Sequence, residues 1–259
     1  PKDAVLMDIM ETNVKFVTTH TDQEEAARLL SKYDFLALPV VDAEERLVGI
    51  VTVDDAIDVI QEETTEDMEM MAAISPSDKP YLKTGVFTTW KQRVPWLLLL
   101  MISATFTSTI IASYEGALAT SVVLTGFIPM LMDTGGNAGS QSSITVIRGL
   151  SLGEIRYRDV PRLVGKELCV AVLCGLSLAA ANFIKLMLVD RVTLPVAAVV
   201  SLTLVCVVLV SNFVGSVLPV LAKRIGFDPA VMASPFITTI VDAVALIIYF
   251  NIAKLLLGI

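Results

Sequence analysis

From Val94 to the C-terminus the sequence consists of long apolar runs with few charges between them. No other feature constrains the fold as much. A helix needs about 20 apolar residues to cross bilayer hydrocarbon, and in lipid it satisfies its own backbone hydrogen bonds. Five stretches qualify: 94–112, about 117–147, 168–189, about 194–222 and about 229–257. The prediction is a mainly α membrane protein with five transmembrane helices per subunit in residues 94–259. With 54% hydrophobic and 18% charged residues, the chain is too apolar for a soluble domain of its size, where about a quarter is charged.

Charge divides the chain in the same place. Residues 1–79 carry 6 Lys/Arg against 19 Asp/Glu, and residues 80–259 carry 13 against 8. The acidic head argues against a nucleic-acid partner, which needs a basic surface. Nine bases lie on one side of the five spans: Lys91, Arg93, Arg148, Arg156, Arg158, Arg162, Lys166, Lys223 and Arg224. Lys185, Arg191 and Lys254 lie on the other. The positive-inside rule places the nine in the cytosol. A multi-pass plasma membrane protein with a cytosolic head and an external C-terminus is expected. Cys169, Cys174 and Cys206 sit in apolar runs and match no metal spacing, so they are expected to be small buried hydrophobes. The chain opens at Pro1 in what reads as the middle of a domain, which predicts a fragment of a longer protein.

The head alternates strand and helix signals. Strands are predicted at 16–18, 36–41 and 47–51, with a helix at 23–33 capped by Asp22 and a second helix opening at Thr52 or Asp54. His20, between two threonines, reads as a surface loop residue. Leu38-Pro39-Val40-Val41-Asp42 and then Arg46-Leu47-Val48-Gly49-Ile50-Val51-Thr52-Val53-Asp54-Asp55 resemble a CBS domain. Such modules work in pairs, so residues 1–61 are expected to be the second of two. In that family a Thr-x-x-Asp pair, here Thr52 and Asp55, often holds the ribose of an adenine nucleotide such as ATP. A helix cap is the competing reading.

Eight acids lie between Asp54 and Glu69 with no base among them. Asp55, Asp58, Glu62 and Glu66 would stack along one helical face, where like charges repel. A divalent cation would relieve that repulsion, and carboxylate oxygens suit Mg2+. A solvated face is the alternative. Residues 62–93 then read as an acidic connector that Ser75-Pro76 and Lys79-Pro80 break into two pieces.

An acid inside a bilayer is costly and signals function. The fifth span holds one, Asp242, with Pro235, Thr238, Thr239, Ala245 and Tyr249 on or beside its face. Pro235 is expected to displace a carbonyl one turn earlier and make it a cation ligand. The second span carries Pro129 and then Asp133-Thr134-Gly135-Gly136-Asn137-Ala138-Gly139-Ser140-Gln141. Glycine there lets backbone approach an ion or a neighbouring helix, and irregular backbone at that depth must be buried or line a cavity. The fourth span adds Asn212, Ser216 and Pro219. A two-fold dimer would bring two Asp242 carboxylates together. Spacing alone stops at a cation pathway with oxygen ligands.

The whole chain resembles the MgtE family of CBS-domain-containing magnesium channels and transporters. The carrying residues are Gly-Gly-Asn-Ala-Gly-Ser-Gln at 135–141, Phe-Asp-Pro-Ala at 227–230 and Ala-Ser-Pro-Phe-Ile-Thr-Thr-Ile-Val-Asp at 233–242. Thr-Asp-Gln-Glu-Glu at 21–25 and Glu-Glu-Thr-Thr-Glu-Asp at 62–67 match as well. The resemblance implies a prokaryotic homodimer that imports Mg2+ and is closed by a plug helix when cytosolic Mg2+ is high. It implies that Asp242 holds hydrated Mg2+ with a carbonyl at Thr238 assisting, and that Asp228 meets the connector through Mg2+. Asp22, Glu24, Asp34, Asp55, Asp58, Glu63, Glu66 and Asp67 correspond to the cytosolic sensor acids. Gly135, Gly136, Asn137, Ser140, Asn212, Ser234, Pro235 and Thr239 are the expected pore lining, with Ser140 and Ser234 standing where some relatives carry Asn. The competing functions are a coupled Mg2+ or Co2+ carrier and a membrane-anchored adenine-nucleotide sensor. With no P-loop and no nucleophile–base pair, an enzyme is not expected.

Overall fold

The computed structural model describes residues 5, 7, 10–77, 79–116 and 122–258, the Ser234 side chain excepted. Two compact units divide the chain, Pro1–Glu66 and Asp67–Ile259.

In the first unit β1 (Val17–Thr18) pairs in parallel with β2 (Ala37–Val41), which pairs antiparallel with β3 (Leu47–Thr52). Between β1 and β2 lies α1 (Gln23–Tyr33), and α2 (Val53–Met71) follows β3. The α1 helix starts because Asp22 accepts from the Glu24 N–H at 2.9 Å, the usual device for an orphan donor. It stops at Asp34, whose backbone is left-handed at φ 53°. Val17, Ala26, Ala27, Leu30, Leu38 and Ala56 form the core of this unit. The α2 helix runs on through the boundary between the units.

Among the described residues of the second unit the long helices are α3 (Val86–Ser113), α4 (Ile128–Ser151), α5 (Val160–Leu188), α6 (Leu194–Arg224) and α7 (Ser234–Leu257). Among the described residues four helical segments are long and apolar enough to cross a membrane: Val86–Ser113, Tyr157–Leu188, Leu194–Arg224 and Pro229–Leu257. The exception is α4, whose Gly, Ser, Asp and Asn residues dilute its apolar character. The predicted start of that second span, residues 117–121, lies outside the described residues.

Three expectations are corrected. The glycine-rich stretch is regular helix throughout, because α4 continues unbroken from Ile128 to Ser151. Its glycines serve helix crossing: a Cβ on Gly215 of α6 would collide with the Gly139 carbonyl, and one on Gly135 would lie 2.5 Å from Val207 Cγ1. Pro235 displaces no carbonyl, because α7 begins at Ser234 and the proline occupies its first turn, where its missing N–H is harmless. The cysteines are not buried: Cys169 and Cys174 are exposed and Cys206 is half-exposed. Apolar side chains on a spanning helix can face lipid as well as protein.

The helices pack around α6, which meets α4, α5 and α7. At one end Leu131, Leu204, Leu246, Tyr249 and Phe250 form a core, and Tyr249 Oη donates to the Leu124 carbonyl at 2.9 Å. The α3 helix has no buried residue and packs against α7.

Candidate functional site

The site is assembled at the start and middle of α7. Asp228 caps the short turn Pro229–Met232 by accepting from the Ala230 N–H at 2.8 Å. From α4, Ser143 Oγ donates to the Met232 carbonyl at 3.3 Å. Ile147, Ala230 and Ala233 are fully buried there, with Met70 and Met71 packed over them. The position of α7 is therefore set by α4 and by the end of α2. Within α7, the Pro235 carbonyl accepts from Thr238 Oγ1 and Thr239 Oγ1, both at 3.0 Å. Two turns beyond Pro235 stands Asp242, half-buried.

Close approach of α4 gives Asp242 its neighbour. A Cβ on Gly136 would lie 2.9 Å from Thr238 Cγ2, and one on Gly135 2.8 Å from Val241 Cγ1. With no side chains to hold the helices apart, the α4 backbone runs against this face of α7. Asp133, one turn before Asn137, then falls within electrostatic reach of Asp242. Asn137 Nδ2 donates to Asp133 Oδ2 at 3.2 Å. A carboxylate and an amide of α4 are thus joined on the helix that runs against the Asp242-bearing helix.

The outer face of α4 is the decisive pattern. Its buried face is Leu131, Gly135, Gly136, Gly139, Ser140, Ser142, Ser143, Val146, Ile147 and Leu150. Its exposed positions are mainly polar, Asp133, Asn137, Gln141, Thr145 and Arg148, spaced three or four residues apart on one helical face, with Pro129 and Ile144 the apolar ones. A lipid-facing helix has the reverse arrangement. Polar groups at this depth face a bundle interior or a water-filled cavity.

Four expected lining residues occupy other places. Gly135, Gly136 and Ser140 are buried in the α4 packing, and Asn212 is 6% exposed on α6. The Asn212 carbonyl accepts from Ser142 Oγ at 3.3 Å, while Asn212 Oδ1 has no hydrogen-bond partner among the described residues. Asn137, Thr238, Thr239 and Pro235 stand beside the Asp133–Asp242 pair. The Ser234 side chain lies outside the described residues. Asp133, an acid in the second predicted span, and Gln141, in the motif at 135–141, join the site although neither is among the expected lining residues. Their shared signal is the four-residue spacing with Asn137.

The acids of the head are dispersed. Asp22 caps α1, and Glu24 stands in its first turn. Asp34 forms its left-handed end. Asp55 accepts from the Thr52 N–H at 3.2 Å and from the Thr52 hydroxyl, so these two groups form the helix cap. Asp58 is exposed, and Glu63 accepts from Gln23 Nε2 at 2.7 Å. Glu66 closes the first unit. In the second, Asp67 accepts from Ser151 Oγ at 3.2 Å. Among the described residues no group of three or more His, Cys, Asp or Glu side chains is placed to hold a metal.

Comparison with known proteins gives these positions a context. The MgtE family model, described as a divalent cation transporter, matches residues 128–252, and the CBS domain model matches residues 6–62. The chain is similar to a protein named magnesium transporter MgtE in Thermus thermophilus, with 42% identity over 257 residues. That match covers 96% of this chain and 55% of the relative. Proteins of the same name from Enterococcus faecalis and Bacillus subtilis are 36% and 37% identical, each over 98% of this chain and 55% of its own length. The chain spans about half the length of the curated relatives it matches.

Proposed function

By its transporter domain and the CBS domain before it the chain belongs to the MgtE family, and from that premise we propose that it forms the membrane pathway of a magnesium channel. The observation that carries this reading is the exposed polar stripe of α4 beside Asp242. A single copy would expose Asp133, Asn137 and Gln141 to hydrocarbon. A second copy related by a two-fold axis would turn these stripes toward each other and close a hydrated path. Homo-oligomers of this symmetry are the commonest kind.

The chemistry suits the cargo. Mg2+ dehydrates reluctantly, keeps several waters and is bound through one or two carboxylates. Asp242 and Asp133 supply those carboxylates, with Asn137, Thr238 and Thr239 able to bind the ion's waters. Transition metals favour His or Cys, and the pathway has neither among these residues. The nine bases on one side orient the spans with the head in the cytosol.

Gating belongs to the end of α2. Asp67 bonds to Ser151 at the end of α4, and Met70 and Met71 sit on the turn that starts α7. Movement of this connector would be transmitted to the helix carrying Asp242. Mg2+ between Asp67 and Asp228 of the second unit would hold it in place; Asp22, Glu24, Asp34, Asp55, Asp58, Glu63 and Glu66 of the first unit are the further candidate Mg2+ ligands. Thr52 and Asp55 are engaged with each other, so nucleotide binding there would have to open the cap.

Mg2+ flux into liposomes containing wild type or Asp242→Asn tests the reading. Flux is expected to be lost in the variant; equal flux in the two overturns the pore assignment. A current that reverses at the Mg2+ equilibrium potential regardless of pH marks a channel. A pH-dependent or sodium-dependent reversal marks a coupled carrier instead.

A further inference from the structure

Where α5 begins and α6 ends, a groove of about 600 Å³ opens on the surface. Val160, Val217, Val220 and Leu221 line it, and its polar members are Tyr157 and Arg224. Tyr157, Leu221 and Arg224 are all exposed. The groove lies at the shared end of two candidate spans, Tyr157–Leu188 and Leu194–Arg224, and so at a membrane boundary. An apolar floor in that place meets acyl chains, and a tyrosine at its edge suits the headgroup level.

The one charged side chain among the described residues that line the groove is Arg224. Lys223 is engaged, donating to the Leu150 carbonyl at 3.0 Å. Guanidinium groups present paired donors that match phosphate oxygens, and basic pockets between spanning helices on the cytosolic side suit anionic headgroups.

We propose that this groove seats one anionic phospholipid from the leaflet on the basic side. Its phosphate is held by Arg224, and one acyl chain lies on Val217 and Leu221. The partner is a lipid because an apolar lining and the Arg224 guanidinium meet at the membrane surface. The proposal rests on the membrane placement of α5 and α6 and is independent of which ion the protein conducts.

Native mass spectrometry of the full chain tests it. Detergent-purified protein is mixed with phosphatidylglycerol or phosphatidylcholine of the same acyl chains. Wild type is expected to retain phosphatidylglycerol several-fold more than phosphatidylcholine. Arg224→Gln is expected to lose that preference, and Arg224→Lys to keep most of it, which also covers the case where the glutamine variant misfolds. Val217→Trp, which fills the groove, is expected to lose both lipids. Equal retention of the two lipids by wild type overturns the proposal. So does an undiminished preference in the glutamine variant, or cross-linking of Val217→Cys to a second copy, which would show the groove covered by protein.

Discussion

A carboxylate at the centre of a spanning helix costs roughly 2.5–3.5 kcal/mol on insertion scales. Asp242 carries that cost, with Asp133 within electrostatic reach. Among the described residues no base forms a hydrogen bond or ion pair with either; in the proposed pathway a visiting dication would offset the cost. Asp133→Asn is therefore expected to lower Mg2+ flux at limiting Mg2+ about tenfold, equivalent to ~1.4 kcal/mol of binding. Unchanged flux in a liposome assay would remove Asp133 from the pathway. The glycines make a second residue-scale case. Gly215→Ala would drive a methyl into the Gly139 carbonyl, and overpacking of this kind costs about 1–3 kcal/mol. A Cβ added to Gly165 on α5 would meet nothing within 4 Å, so Gly165→Ala should be neutral or stabilising by roughly 0.5–1 kcal/mol. Thermal melts of the two variants in detergent should separate in that order, and similar melting temperatures would refute the close-crossing account.

At the scale of elements, α2 is an acidic helix whose far end is apolar. Its charged turns repel one another by a few tenths of a kcal/mol per pair, and its terminal Met70 and Met71 are anchored over Ile147, Ala230 and Ala233. The segment that follows is tied to α3: Ser75 N–H donates to the Gln92 carbonyl at 3.1 Å, and Trp96 Nε1 to Ser75 Oγ at 3.2 Å. Trp96 also meets Phe236 of α7 edge-on at 6.0 Å. Met71→Asp should release this connector. The expected result is faster trypsin cleavage at Lys79 and Lys83, with Mg2+ protecting those sites in wild type but not in the variant. If Mg2+ protects both proteins equally, α2 is not the element that senses it.

For the whole molecule, the polar stripe on α4 requires a second surface. In a background without its three cysteines, Gln141→Cys is expected to form a disulfide between two copies, because in the proposed dimer the stripes face each other across the two-fold axis and thiols must approach within about 6 Å between Cα atoms. Light scattering in detergent should give twice the subunit mass. A monodisperse monomer that still conducts Mg2+ would end the dimeric arrangement.

Much of this architecture was legible from residue type alone. Apolar length marked the spans, because lipid admits only backbone that satisfies itself, and the boundaries of α1, β2, β3 and α6 follow local capping and hydrophobic period. Asp242 was visible because one charge in an apolar run stands out without any knowledge of its neighbours. Its companion was not: Asp133 sits among other polar residues, and only the crossing of α4 over α7 at Gly136 and Thr238 decides which of them approaches Asp242. The same holds for Pro235 and for the glycines. Sequence shows that a residue can bend a helix or admit a neighbour, but which it does depends on where the helix starts and what lies opposite. Those are distances between segments far apart in the chain, and only tertiary packing sets them.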